Sequence, residues 1–300
     1  MARRTRATSS QLFNFTRDSY LERTSRPVYA LVFLMPFIIF YELGTLFINT
    51  DVLSQTQIRV VAFVWLQELL VYLGFGGKFL WATPALVVVV ILLAYQIVSG
   101  KRWFVSFTDM LPMALESMVW AIPLIVLSLF LNTSTVHRNS RTIDNAPVVA
   151  KLAADHKPAP APLPNPRQAP SAAAQKTSAL LADVVTGVGA GIYEELLFRL
   201  ILICALLLLF QDVLGWGKGN SITLAVLVSA ALFGAHHHID LLSGRVNQQD
   251  AFDWAKFAFR TMAGVYFAVL FAVRGFGITA GTHAFYDIIA TLINALVFRR

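Results

Sequence analysis

The chain has a single cysteine in 300 residues, Cys204, and it stands inside a hydrophobic run. An intrachain disulfide and a Cys-based zinc cluster are therefore excluded. Charge is scarce too: Asp, Glu, Lys and Arg make up 14% of the residues, against 57% hydrophobic. No His-Glu-x-x-His signature occurs, so the usual zinc-protease helix is missing. Basic residues are not interleaved with aromatics, which argues against a nucleic-acid surface. The net charge of +7 comes from residues near chain ends and in loops, the distribution that membrane orientation predicts. The sequence predicts no cleaved signal peptide, because the first basic segment is long and the next apolar stretch spans fully.

What is abundant is apolar helix former. Mean hydropathy is +0.63, and several runs approach the twenty residues that cross a bilayer. The fold class read from this is all-α, a polytopic transmembrane bundle of about eight spans. Residues 1–27 form a basic N-terminal segment with six arginines. Residues 28–132 form an N-terminal four-span region, with spans at about 28–48, 60–75, 80–98 and 111–131. The second contains Gln67 and Glu68 and is short, so it reads either as a tilted span or as a re-entrant segment. Residues 133–177 carry six prolines between 158 and 170 and read as an extended linker. Residues 178–298 then supply four more spans, about 178–210, 220–238, 254–273 and 276–298. The first of these is longer than one crossing needs, which predicts a tilt, a break near its glycines or an extension beyond the membrane. With eight spans, the bias of basic residues favours both termini on the cytoplasmic side. Demoting the second span would move the N-terminus to the other side.

The polar residues of the last four spans fall into three clusters. Glu194, Glu195 and Arg199 lie within six residues in an apolar segment. Each charge at the centre of a membrane helix costs about 2.5–3.5 kcal/mol, so the three require compensation. Glu195 and Arg199 are four apart and share a helix face, which predicts an internal ion pair. Glu194 lies about 100° round the helix and has no partner within the segment. Gly187 and Gly191 form a small-xxx-small pair that lets another helix approach closely. The second cluster closes the sixth span, with Ser229, Phe233 and His237 on one face. The third is a stripe of His283, Asp287, Thr291 and Asn294 in the last span. Intramembrane ionisable groups face the bundle interior, so the three clusters are expected to converge. Glu42, Glu68 and Glu116 read as helix-packing partners or helix ends.

Glu194-Glu195-x-x-x-Arg199, Phe233-x-x-x-His237 and His283-x-x-x-Asp287, in that order and on separate spans, resemble the three motifs of the CPBP family. These are the CAAX prenyl proteases of type II and their bacteriocin-processing (Abi) relatives. The resemblance covers about residues 178–298. It implies an intramembrane endopeptidase that depends on glutamate. By the same resemblance Glu194 would be the base that activates water, and His237 would hold or share that water. Glu195 and Arg199 would brace the first helix, and His283 would stabilise the oxyanion. Asp287 stands where many relatives carry Asn, so its implied role is to orient His283. The spacing from Phe233 selects His237 from the run His236-His237-His238, with His236 as the rival.

Amide hydrolysis without a nucleophilic Ser or Cys needs a base for water and a donor facing the oxyanion. The clusters contain both. Glu194, His237 and His283 would also suit a two-His-one-carboxylate zinc site, and this metal-dependent variant stands beside a cofactor-free one. The competing class is a membrane binding, transport or immunity protein that uses the same Glu/His/Asp cluster without proteolysis. The expected partners are the bilayer and a membrane-embedded or lipidated peptide or protein, with no nucleic acid. The expected location is a bacterial cytoplasmic membrane.

Overall fold

The computed structural model describes residues 18–51, 60–75, 82–142, 172–239 and 252–298. The first seventeen residues and most of the Pro-rich stretch lie outside the described residues. Among those described, every element is helical, in line with the predicted fold class. A short α1 (Tyr20–Thr24) leads into α2 (Pro27–Asp51), then α3 (Val61–Tyr72), α4 (Thr83–Ser99) and α5 (Met110–Thr142). Beyond the Pro-rich stretch come α6 (Ala172–Glu195), α7 (Ile203–Leu207), α8 (Lys218–His236) and α9 (Trp254–Ile293). Five stretches are long and apolar enough to cross a membrane: Pro27–Phe47, Phe107–Leu131, Thr177–Val213, Lys218–His236 and Trp254–Leu296. The protein is an integral membrane protein.

Local chemistry sets several of the ends. The Ser19 hydroxyl accepts from the Glu22 amide and caps α1. Pro84 opens α4, where its missing N–H costs nothing, and Gly100 closes it in the left-handed region. Asp253 caps α9 by accepting from the Lys256 amide at 2.9 Å. The helix of Thr177–Val213 is unbroken at its glycines. It instead widens into π turns at Leu196–Leu202, directly after Glu195, and again at Leu208–Val213. At about 1.5 Å per residue, this 37-residue stretch is roughly 55 Å long, so it is tilted or extends past the ~30 Å hydrocarbon core.

The helix α9 is a hairpin. Phe259 and Tyr286 would lie about 40 Å apart on a straight helix, yet their rings meet at 6.4 Å. The chain reverses at Gly275, whose φ of 77° and ψ of 178° only glycine adopts readily. The two arms are the last two spans of the sequence reading, packed antiparallel.

Contacts along the second arm set the direction of its neighbours. Gly277 faces Ala30 and Gly281 faces Phe33, while Phe37 meets Phe285 at 5.6 Å. The helix α2 therefore runs parallel to the second arm. Residues 18–26 lie beside Arg274 at one end of the bundle, and residue 298 lies at the other. The helix α3, at the short second span of the sequence reading, has twelve residues and spans about 18 Å, less than the hydrocarbon core.

Two half-buried carboxylates join the N-terminal helices to the C-terminal ones. Glu116 of α5 accepts from Arg274 Nε at 2.5 Å and Nη2 at 2.8 Å, and from the Tyr20 hydroxyl at 2.8 Å. Arg274 also donates to the Leu21 carbonyl and the Thr24 hydroxyl, which ties α1 to the α9 turn. Glu42 of α2 accepts from the Tyr193 hydroxyl at 2.9 Å. One apolar core runs across both regions, from Tyr29, Leu34 and Phe63 to Ile192, Leu196 and Ile278.

Candidate functional site

The helix α6 and the second arm of α9 approach closely enough to bring three motifs together. A Cβ on Gly191 would come within 2.5 Å of the Ala284 backbone nitrogen, so only glycine permits this contact. One turn further on, Glu195 Oε1 accepts from His283 Nδ1 at 2.7 Å. The other oxygen of Glu195 lies 3.0 Å from Arg199 Nε, and both side chains are fully buried. The guanidinium sits over the Phe233 ring at 4.2 Å and near Phe267 at 5.4 Å, and Nη2 donates to the Gly264 carbonyl. The predicted ion pair is thus present and sealed by aromatic faces.

Glu194, without a partner in its own segment, finds its partners on other helices. Its Oε1 lies 3.3 Å from His236 Nε2, and its Oε2 lies 3.9 Å from His283 Nε2. Glu194 Oε2 has no hydrogen-bond donor although it is buried. His283 Nε2 is also 3.5 Å from Asp287 Oδ2, and its ring stacks on Phe267 with centroids 4.6 Å apart.

The two candidate histidines divide the surroundings of Glu194. His236 is buried and contacts the carboxylate, while His237 is half-buried and lines the adjoining cavity. Their rings are 3.9 Å apart. Both use Nδ1 against the same acceptor, the Phe233 carbonyl, at 2.5 Å for His236 and 3.0 Å for His237. A carbonyl only accepts, so each Nδ1 carries the proton and each neutral ring presents an Nε2 lone pair. A neutral His236 would thus face the carboxylate lone pair to lone pair. A shared proton or a cation between Glu194 and His236 resolves the contact. Oxygen and nitrogen atoms of Glu194, His236 and His237 lie within 4.8 Å of one another, a spacing that could hold a metal ion. The predicted metal trio differs by one member, with His283 in place of His236.

The cavity has a volume of about 320 Å³. Glu194, His237, His283, Asp287 and Phe233 line it, all singled out in the sequence. Lys256, Phe259, Arg260, Phe267 and Tyr286 line it as well, and the sequence reading did not select them. Their available signal was two cations four residues apart on an apolar helix. The other stripe residues lie elsewhere. Ser229 donates to the Phe198 carbonyl at 2.7 Å, and Thr291 and Asn294 line a separate cavity with Ser128 of α5.

Residues 176–289 match the family model described as type II CAAX prenyl endopeptidase, Rce1-like. The match runs from α6 into the second arm of α9 and includes all three motifs, whose family it names. Over that region the chain is similar to the type II CAAX prenyl endopeptidase family. No curated protein and no solved structure matches the chain.

Proposed function

We propose that this chain, with its Rce1-like region at 176–289, is an intramembrane endopeptidase that hydrolyses a peptide bond with water activated by Glu194. The observation that supports it most is the unequal treatment of two adjacent carboxylates. Both carry a buried Oε2 without a hydrogen-bond donor, but that of Glu195 is ion-paired to Arg199 at 3.0 Å, whereas that of Glu194 is 3.9 Å from His283 Nε2 and Glu194 lines a cavity inside the membrane bundle. A structural carboxylate in hydrocarbon needs the first arrangement, and a base needs the second.

In this reading a water lies between Glu194 and His237. Glu194 takes a proton as the water oxygen attacks the scissile carbonyl carbon. His283, as an imidazolium balanced by Glu195, offers its Nε2–H to the developing oxyanion. The proton held between Glu194 and the histidines passes to the leaving nitrogen as the C–N bond breaks. The products are a carboxylate and an amine. Asp287 orients His283, and Phe267 fixes the plane of its ring. The substrate is a membrane-embedded or lipidated peptide or protein.

The test compares membranes of cells carrying wild type, Glu194→Gln, His236→Ala or His237→Ala, scored for newly generated peptide termini by mass spectrometry. Termini that vanish with Glu194→Gln, at unchanged insertion and abundance, are the expected result. The fall in rate should be at least about 10³-fold. Identical termini in all samples would overturn the reading.

The spacing of Glu194, His236 and His237 favours a second version, in which those three hold a divalent ion that polarises the water. Elemental analysis of purified active protein separates the two. Stoichiometric zinc lost in His236→Ala supports the metal version, and full activity without stoichiometric metal removes it.

A further inference from the structure

A second cavity lies against the second arm of α9, one to two turns beyond the first. Its volume is about 450 Å³, and Ser128 of α5, Thr291 and Asn294 supply its polar side chains. Ala290 and Thr291 follow Tyr286 and Asp287 by four residues, and Asn294 follows Asp287 by seven, so they continue the same faces of the helix. Asn294 is exposed and stands about 10 Å along the axis from Asp287, toward the end of the bundle where residue 298 lies. Tyr286 and Ser128 join the two cavities. Tyr286 lines the first, and its hydroxyl interacts with that of Ser128, which lines the second. The Tyr286 ring packs against the cluster of Leu124, Ala263 and Phe267, and Leu124 precedes Ser128 by one turn of α5. The backbone loosens at the same place. The chain widens into a π turn at Asn294–Phe298, and the Asn294 N–H is shared between the carbonyls of Ala290 and Thr291. One donor serves two acceptors there, an arrangement that suits backbone lining a water-filled space.

Resting on the protease reading, we propose that the second cavity is a water-binding site that supplies the Glu194 cavity across the Ser128–Tyr286 contact. Hydrolysis consumes one water for each bond cut. The Glu194 cavity, at about 320 Å³, holds roughly ten waters at about 30 Å³ each, and a peptide strand bound in it displaces most of them. A second approach lets water reach Glu194 while the peptide is in place. The side chains along it are Asn294, Thr291, Ser128 and Tyr286, and each both donates and accepts hydrogen bonds. Water can therefore pass from one to the next in either orientation. No bond is made or broken in the second cavity. Leu292, at the same depth, is exposed on another face of the helix and meets lipid instead.

The test uses the full-length protein in membranes, with Cys204 replaced by Ser. A thiol reacts with a methanethiosulfonate as the thiolate, which forms in water and not in lipid. The probe is a charged trimethylammonium methanethiosulfonate. It should label Thr291→Cys at least tenfold faster than Leu292→Cys. Ala290→Leu fills the cavity and should suppress that labelling. It should also slow the appearance of Glu194-dependent peptide termini at least tenfold, at unchanged melting temperature. Ala290→Ser keeps the space and should match wild type in both readouts. Ser128→Val should slow cutting but leave the labelling of Thr291→Cys intact, because it acts at the crossing and not at the mouth. Equal labelling of Thr291→Cys and Leu292→Cys would overturn the water site. Undiminished cutting by Ala290→Leu with labelling lost would overturn the supply and leave the protease reading standing. Wild type without Glu194-dependent termini would overturn the protease reading and the supply together, and the labelling would still decide whether the cavity holds water.

Discussion

The N-terminal and C-terminal regions both place carboxylates in apolar helices, but they treat them differently. Glu116 is held by Arg274, Tyr20 and Trp120, and Glu42 by Tyr193, each as a pin between two regions of the chain. Glu194 instead faces His236 and His283 across a cavity. Half of the apolar window of α9 is buried against 17% of that in α5, so α5 mainly offers an apolar outer face, while α2 and the helix of Thr177–Val213 are equally buried at 33%. An acid that pins two helices serves packing, and one that lines a cavity beside histidines is available for chemistry.

The largest effect should come from the pair that braces the site. Arg199→Met leaves Glu195 charged and buried without its main partner, which costs about 3–5 kcal/mol. The melting temperature of detergent-solubilised protein should fall steeply. The double variant Arg199→Met/Glu195→Gln should recover much of it, since the uncompensated charge is gone. Glu194→Gln should move stability by only about 1 kcal/mol or less, because that oxygen has no donor to lose. If Glu194→Gln unfolds the protein as Arg199→Met does, the two carboxylates are of one kind and the comparison fails.

Next in size is the pin at the α9 turn. Glu116→Gln keeps the shape of the side chain but loses the charge that Arg274 opposes. Glu116 is partly open to its surroundings, so the loss should be about 2 kcal/mol. Limited proteolysis should then cut within residues 18–26 sooner than in wild type, because α1 is tied to Arg274. Unchanged cutting and melting would show that this pin is incidental.

Much of the site was legible in the sequence because charge in an apolar helix is expensive and must be explained. The four-residue spacing of Glu195 and Arg199 predicted their pairing, and Gly187 and Gly191 predicted a close helix neighbour. The π turns after Glu195 left no mark in a pattern of uniformly apolar residues. His236 was ranked below His237 because the motif spacing from Phe233 selects His237. Both reach the site because they stand at the last turn of α8, where one carbonyl receives both Nδ1 atoms. The character of α3 was left open in the sequence because its apolar length lies between a crossing and a re-entrant segment. Lys256 and Arg260 escaped notice because cations near a helix start read as interfacial residues until a cavity connects them to Glu194.

The smallest effect tests whether the regions communicate at all. Tyr193 adjoins Glu194, and its hydroxyl donates to Glu42 of α2 at 2.9 Å. Its ring packs in an aromatic cluster with Tyr41 and Phe63, at centroid distances of 5.3 and 4.9 Å. Tyr193→Phe keeps that packing and removes one hydrogen bond, worth about 1 kcal/mol. If Glu42 is only a pin, melting should shift by a few degrees and kcat should stay within about twofold. A tenfold fall in kcat at unchanged melting would mean that the bond holds α6 in register for Glu194. The N-terminal helices would then set the geometry of the water-activating carboxylate, and the division between packing acids and the reactive one would no longer follow the two regions.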